Sequence, residues 1–201
     1  MTTTFESLGV AAPLVAVLSE RGISEPFAIQ ALTIADALAG RDVCGKAKTG
    51  SGKTLAFGIP TLQKMAKAKP NRPTGIVLVP TRELATQVRD ELSPLAGSID
   101  RVVTAIYGGD PIEKQVTALE KGVDLIVCTP GRAIDLIERK ALSVADVNHV
   151  IVDEADRMAD MGFLPQVEWI LRNIDGEHQT LLFSATLDGA VLPQQARAIS
   201  R

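Results

Sequence analysis

The stretch Ala47-Lys48-Thr49-Gly50-Ser51-Gly52-Lys53-Thr54 combines glycines, an amine and hydroxyls in a pattern suited to gripping phosphate. Glycines let a loop wrap a phosphate chain and aim its N–H groups inward. A helix opening at the end of the loop adds partial positive charge. In such a loop Lys53 reaches the β- and γ-phosphates of a nucleotide, and the Thr54 hydroxyl is a ligand for Mg²⁺. Ala47 stands where the pattern usually opens on glycine. A second group with chemical potential is Asp153-Glu154, directly after the apolar run Val150-Ile151-Val152. An acid at a strand end beside a phosphate loop can hold Mg²⁺ through water, and the next acid can orient or polarise the attacking water. Alone, two acids after a strand make a solvated turn. Alongside the phosphate loop they read as catalytic, so Lys53, Asp153 and Glu154 are the expected catalytic residues, with Thr54 and Asp153 as metal ligands.

These groups need elements to hold them. Short β-branched runs predict strands at residues 42–47, 75–79, 102–106, 124–128, 149–152 and 180–183. Amphipathic segments predict helices at 52–68, 81–95, 111–120, 130–139 and 162–173. In the second of these, Leu84, Val88 and Leu92 recur at helical spacing. Strands alternating with helices imply an α/β fold: a parallel sheet covered on both faces, in three layers. Polar residues follow almost every strand. They are the phosphate loop, Pro80-Thr81-Arg82, Gly108-Gly109, Thr129-Pro130-Gly131-Arg132, Asp153-Glu154-Ala155-Asp156 and Ser184-Ala185-Thr186. Ligands of open α/β sheets bind beyond the carboxyl ends of the strands, so all these clusters are expected along one edge of one domain. The stretch 67–73 reads as a surface loop.

Composition narrows the function classes. The net charge of −3 argues against a broad basic surface, so any nucleic-acid contact must be local. At 3% aromatics a base-stacking platform is not expected, which favours contact through the phosphate backbone. Cys44 and Cys128 each sit in an apolar run and read as buried, reduced thiols; with His149 and His178 they make no zinc pattern. No apolar stretch is long enough for a membrane span, and the amino terminus lacks the pattern of a secretory signal. A cytoplasmic protein is expected.

Taken in order, these clusters resemble the motifs of the DEAD-box RNA helicases. Asp153-Glu154-Ala155-Asp156 looks like the motif that names the family. Pro80-Thr81-Arg82-Glu83-Leu84, Thr129-Pro130-Gly131-Arg132 and Ser184-Ala185-Thr186 resemble three further motifs at family-like spacing. Residues 22–30 resemble the Q motif, within an expected Q-motif region of 3–31, and Phe5 matches the isolated aromatic upstream of it. Phe27 departs from the pattern, standing where the family usually has threonine. The resemblance covers essentially the whole chain and implies a RecA-like P-loop NTPase domain over residues 1–201. It further implies ATP and Mg²⁺ as cofactors, and ATP hydrolysis coupled to RNA binding and local strand separation.

By position, Gln30 would read the adenine edge and Phe5 would stack on its ring; a staple for the first helix is the other use of Phe5. Pro80, Thr81, Arg82, Gly109, Thr129, Pro130 and Arg132 would grip single-stranded RNA by its backbone, with little base preference. Ordinary helix capping with surface arginines explains the same residues from sequence alone. Asp110-Pro111 is expected to begin a helix as Thr129-Pro130 does, as N-cap and first helical residue. Asp156, Ser184 and Thr186 would couple nucleotide state to RNA, unless the hydroxyls only satisfy local backbone. The family's second RecA-like domain, which supplies arginine fingers and half the RNA site, is not in this chain, so a fragment is expected. The rival readings are a non-catalytic short form that binds RNA or a partner, and a DNA-acting helicase, against which the Q-motif-like segment and Asp153-Glu154-Ala155-Asp156 argue.

Overall fold

The computed structural model describes residues 3–48 and 50–186. Thr49, expected in the phosphate loop, lies outside the described residues. The elements, in chain order, are α1 (Ala12–Glu20), α2 (Ala28–Leu38), β1 (Val43–Lys46), α3 (Lys53–Lys64), β2 (Gly75–Leu78), α4 (Arg82–Gly97), β3 (Val103–Ile106), α5 (Ile112–Glu120), β4 (Leu125–Cys128), α6 (Pro130–Glu138), β5 (His149–Val152), α7 (Ala155–Asp160), α8 (Leu164–Arg172) and β6 (Gln179–Ser184). The strands form one six-stranded sheet in the order β1-β6-β5-β2-β4-β3, and every pairing is parallel.

Successive residues of a strand face opposite sides of its sheet. The core splits accordingly. Val77, Leu125, Val127, Ile151, Leu181 and Phe183 face a cluster built with α1 to α4, including Leu14, Ile34, Phe57 and Leu92. Ile76, Leu78, Ile126, Cys128, Val150, Val152 and Leu182 face a second cluster that includes Leu119, Leu136, Met158 and Val167 from α5 to α8. The three-layer expectation holds, with each central strand apolar on both faces because both are covered. Burying each such aliphatic side chain contributes roughly 1.5–3 kcal/mol.

Two local features set the phosphate-loop helix. A Cβ at Gly58 would lie 2.2 Å from Leu92 Cδ2, so glycine permits the close approach of α3 to α4. The helix stops at Lys64, short of the expected 68, and Met65 is extended. Beyond it the Ala68 N–H donates to Asp124 Oδ1 at 2.6 Å, and the Thr74 hydroxyl donates to the Ala66 carbonyl at 2.8 Å. Both bonds draw the chain off the helical path toward the sheet.

Cys128 is buried as expected, but Cys44 is exposed. It sits on edge strand β1, whose alternation buries Gly45 and exposes Cys44 and Lys46. His149, first residue of β5, is partly buried; burial, helped by the Lys64 charge, lowers its imidazole from 6.5 to about 4. A histidine depressed in the folded state contributes stability that is complete above the unfolded pKa and is lost as pH falls through the folded one. Urea unfolding between pH 7 and pH 4 should therefore show a loss of roughly 2–3 kcal/mol beyond that of a His149→Gln variant. Equal losses in the two proteins would contradict this assignment.

Candidate active site

All strands being parallel, their carboxyl ends share one edge. The strand order arranges the polar clusters along it. The phosphate loop after β1, Ser184-Ala185-Thr186 at the end of β6 and Asp153-Glu154 after β5 lie on one half. The segments after β2, β4 and β3 lie on the other.

The Ala47 N–H donates to the Ser184 carbonyl at 2.9 Å, which ties the start of the loop to β6. Lys48 is exposed, and both the N–H and the hydroxyl of Ser51 donate to its carbonyl, at 3.2 and 2.6 Å. Gly52 is the N-cap of α3 with φ +84°, a left-handed conformation that L side chains adopt rarely. A Cβ there would also meet Gln30 Nε2 at 2.4 Å and Phe27 Cδ2 at 2.8 Å. Loop and Q-like segment are thus in direct contact.

The Lys53 ammonium lies 3.0 Å from Asp153 Oδ1, with side chains only 7% and 2% exposed. Asp153 Oδ1 also accepts from the Glu154 N–H at 2.9 Å. Burial raises the Asp153 carboxyl above its ordinary value, while the Lys53 charge pulls the other way. Gly50, Gly52, Lys53, Thr54, Asp153 and Glu154 line one cavity of about 230 Å³. The Thr54 hydroxyl and the Asp153 carboxylate are hard oxygen donors of the kind Mg²⁺ takes, usually keeping several of its waters. They fit that ion.

Glu154 has φ 52° and ψ 48°, the left-handed region, at the N-cap of short α7. For a non-glycine residue this costs on the order of 1–3 kcal/mol and needs support from its surroundings. Arg157 supplies some of it, its Nη1 lying 3.2 Å from Glu154 Oε2. Sequence reasoning missed Arg157; its spacing of three from Glu154 was the available signal.

Asp156 meets the end of β6. Its N–H donates to Ser184 Oγ at 3.3 Å, and its Oδ2 accepts from the Thr186 N–H at 3.0 Å and hydroxyl at 2.9 Å. Partial desolvation opposes ionisation, but the bonds from Thr186 and from the Arg157 N–H hold the carboxyl below its ordinary value. The Ser184 hydroxyl donates to the Thr186 carbonyl at 2.8 Å.

The Q-like segment is placed differently for each residue. Gln30 is 1% exposed. Its Oε1 accepts from the Phe27 N–H at 2.8 Å and its Nε2 donates to the Gly52 carbonyl at 3.0 Å. In this conformation protein engages each end of the amide once, which leaves one N–H and one lone pair of the side chain uncommitted by these two bonds. Phe5 is 1% exposed and belongs to the core cluster of α1 to α4 rather than to the cavity wall. The exposed ring at the cavity is Phe27, which sequence reasoning had only noted as a departure. Phe27 is the N-cap of α2. Its spacing to Gln30 is that of a capping box, but a phenyl ring cannot accept the second hydrogen bond. Relative to a hydroxyl cap this costs α2 about 1 kcal/mol.

On the other half of the edge, Thr81 caps α4, accepting from the Leu84 N–H at 3.3 Å. Thr129 is the N-cap of α6 and makes no such bond. Asp110 does not start α5: Pro111 is the N-cap and Ile112 the first helical residue, one position later than expected. Instead the Asp110 carbonyl accepts from Arg132 Nη1 at 3.1 Å, which joins the segments after β3 and β4. Arg132 is therefore largely buried, its side chain 13% exposed. Arg82 is exposed and pairs with Glu83 at 2.7 Å. A Cβ on exposed Gly109 would come 3.6 Å from Arg82 Nη1, so these two are neighbours. Pro80 and Pro130 are buried and turn the chain without offering surface. Among the described residues no group of three or more His, Cys, Asp or Glu could hold a metal on its own. No helix among them is long and apolar enough to cross a membrane.

Comparison with known proteins agrees with this geometry. The family model for DEAD/DEAH box helicases matches residues 27–193. The DEAD-box ATP-dependent RNA helicase CshA of Bacillus subtilis is 45% identical over 191 residues, 95% of this chain and 38% of that protein. CshA of Streptococcus pneumoniae is 46% identical over 187 residues, 93% of this chain and 36% of the relative. This chain thus spans less than two fifths of the length of these relatives. The crystal structure of a DEAD box protein from the hyperthermophile Methanococcus jannaschii superposes with a TM-score of 0.88 at 35% identity, covering 97% of this chain and 53% of that one. With the phosphate loop and Asp153-Glu154 brought into one cavity, and with that family model spanning most of its length, this chain belongs to the DEAD/DEAH box helicase family.

Proposed function

We propose that this chain binds Mg²⁺-ATP in the Lys53–Asp153 cavity and single-stranded RNA along the segments after β2, β3 and β4. Together with a second RecA-like domain it would couple ATP hydrolysis to local RNA unwinding in the cytoplasm. The observation that carries the reading is the 3.0 Å contact between Lys53 and Asp153, which unites the loop and the acids around one small cavity.

The chain's own residues divide the work. Lys53 would exchange its ion pair with Asp153 for the β- and γ-phosphates, leaving the carboxylate available to a metal ion. Thr54 and Asp153 would hold Mg²⁺, which when bound neutralises charge on the phosphates. Glu154 orients the attacking water. Asp156, bonded to Ser184 and Thr186, links the floor of the nucleotide site to the end of β6. For RNA, exposed Arg82 beside Gly109 offers charge next to a close backbone approach, and Thr81 and Thr129 stand at helix amino termini suited to phosphate. Buried Arg132 serves by holding the neighbouring segments in place. Phosphate contacts of this kind carry little sequence information.

Calorimetric titration of the domain tests the reading. Mg²⁺-dependent binding of ATP and ADP is the expected result, with slow turnover in the absence of an arginine finger. Folded protein that binds no adenine nucleotide at millimolar concentration would refute it.

A further inference from the structure

We propose that Phe27 forms the base-facing wall of the nucleotide cavity, so that a nucleotide is held here partly by stacking on this ring. The inference rests on the phosphate-site reading above and adds a determinant to it. Phe27 is 58% exposed, whereas Phe5, Phe57 and Phe183 are each 1% exposed or less. It is held at the start of α2, where a hydroxyl would complete the helix cap and phenylalanine cannot. A residue that weakens its own helix and leaves an aromatic ring in water at a cavity mouth reads as a ligand contact.

The cavity lining supports the assignment. Its lining combines charged residues, Lys53, Glu91, Asp153 and Glu154, with apolar ones, Ile23, Phe27, Leu55 and Leu84. Such a mixed lining suits a ligand that carries both phosphates and a flat apolar group. The ring is anchored near the loop, since a Cβ on Gly52 would lie 2.8 Å from Phe27 Cδ2. Gln30 stands beside it, and an amide can both donate to and accept from a base edge. Stacking tolerates any base because every base has a π-face, so Phe27 supplies affinity and an amide such as Gln30 supplies selection.

The test compares wild type, Phe27→Thr and Phe27→Tyr by direct calorimetry with three probes: Mg²⁺-ATP, Mg²⁺-GTP and Mg²⁺-tripolyphosphate, which has no base. Phe27→Thr should weaken both nucleotides about tenfold, the effect of losing one stacking contact, and leave tripolyphosphate unchanged. It should also raise the melting temperature, because threonine completes the cap. Phe27→Tyr should bind as wild type does. Opposite signs on affinity and stability separate a ligand contact from a structural role. Unchanged nucleotide affinity in Phe27→Thr overturns the proposal, as does an equal loss for tripolyphosphate, which would place the ring's effect on the loop. Wild-type protein that binds tripolyphosphate as tightly as ATP overturns it while leaving the phosphate site standing. Protein that binds none of the three probes removes both.

Discussion

Lys53→Met is expected to weaken Mg²⁺-ATP binding by on the order of 100-fold or more, while the domain stays folded. Methionine keeps most of the stem's volume, so the change removes charge with little cavity. On the proposed reading the ammonium faces the β- and γ-phosphates in the bound state, and charge-assisted hydrogen bonds are the strong ones. In the free protein its loss leaves Asp153 buried without its cation, 2% exposed. Removing one partner of a buried ion pair costs about 3–5 kcal/mol if the other stays charged. Asp153 has an escape, because burial already raises its carboxyl and the loss of Lys53 raises it further. An acid whose folded-state pKa is raised adds stability below the unfolded value and loses it as pH rises through the folded value. The variant should therefore lose stability at neutral pH and regain it relative to wild type as the solution is acidified. Calorimetric titration and melting curves across pH check both parts. Wild-type affinity in the variant would show that Lys53 does not face phosphate.

Glu154→Gln, measured in protein that includes a second RecA-like domain, should lower kcat for RNA-stimulated ATP hydrolysis by roughly 10²–10⁴-fold. Affinity for Mg²⁺-ATP should change no more than a few-fold. Glutamine keeps the size and the hydrogen-bonding reach of the side chain but cannot polarise water as a carboxylate does. The separation follows from where the residue sits. On the proposed reading Asp153, Lys53 and Thr54 hold the phosphate end, whereas Glu154 lines the same cavity on a strained left-handed residue at the start of α7. A backbone held in that conformation, with Arg157 pinning the carboxylate, aims one oxygen acid at a fixed place. Loss of binding and turnover together would mean that Glu154 holds the metal; full turnover would remove it from the chemistry.

Much of this was legible in residue order. Every predicted strand exists, and β5 matches residue for residue, because β-branched runs flanked by turn residues carry their own signal. Three helices were not read. The α1 segment has apolar residues on several sides, including Val15 and Val17 as well as buried Leu14 and Leu18, which blurs a 3.6-residue period. In α2 alanines dilute it, and α7 has only six residues. The early end of α3 and the exposed Cys44 trace to non-local causes: the bond to Asp124 and the edge position of β1.

By itself the sequence determined the phosphate loop, the acids, the alternation of strands and helices, and hence the edge on which chemistry must lie. Those follow from local rules of spacing, backbone freedom and periodicity. Tertiary structure alone decided that β6 and β5 insert between β1 and β2, which puts Lys53 against Asp153 and Asp156 against Thr186 across more than ninety residues in one case and thirty in the other. It also decided that Phe5 enters the core while Phe27 faces the cavity, and that Arg132 braces two segments instead of facing solvent. Each of these depends on which elements pack side by side, a choice made by burial of apolar area over the whole sheet, which no local window of residues contains.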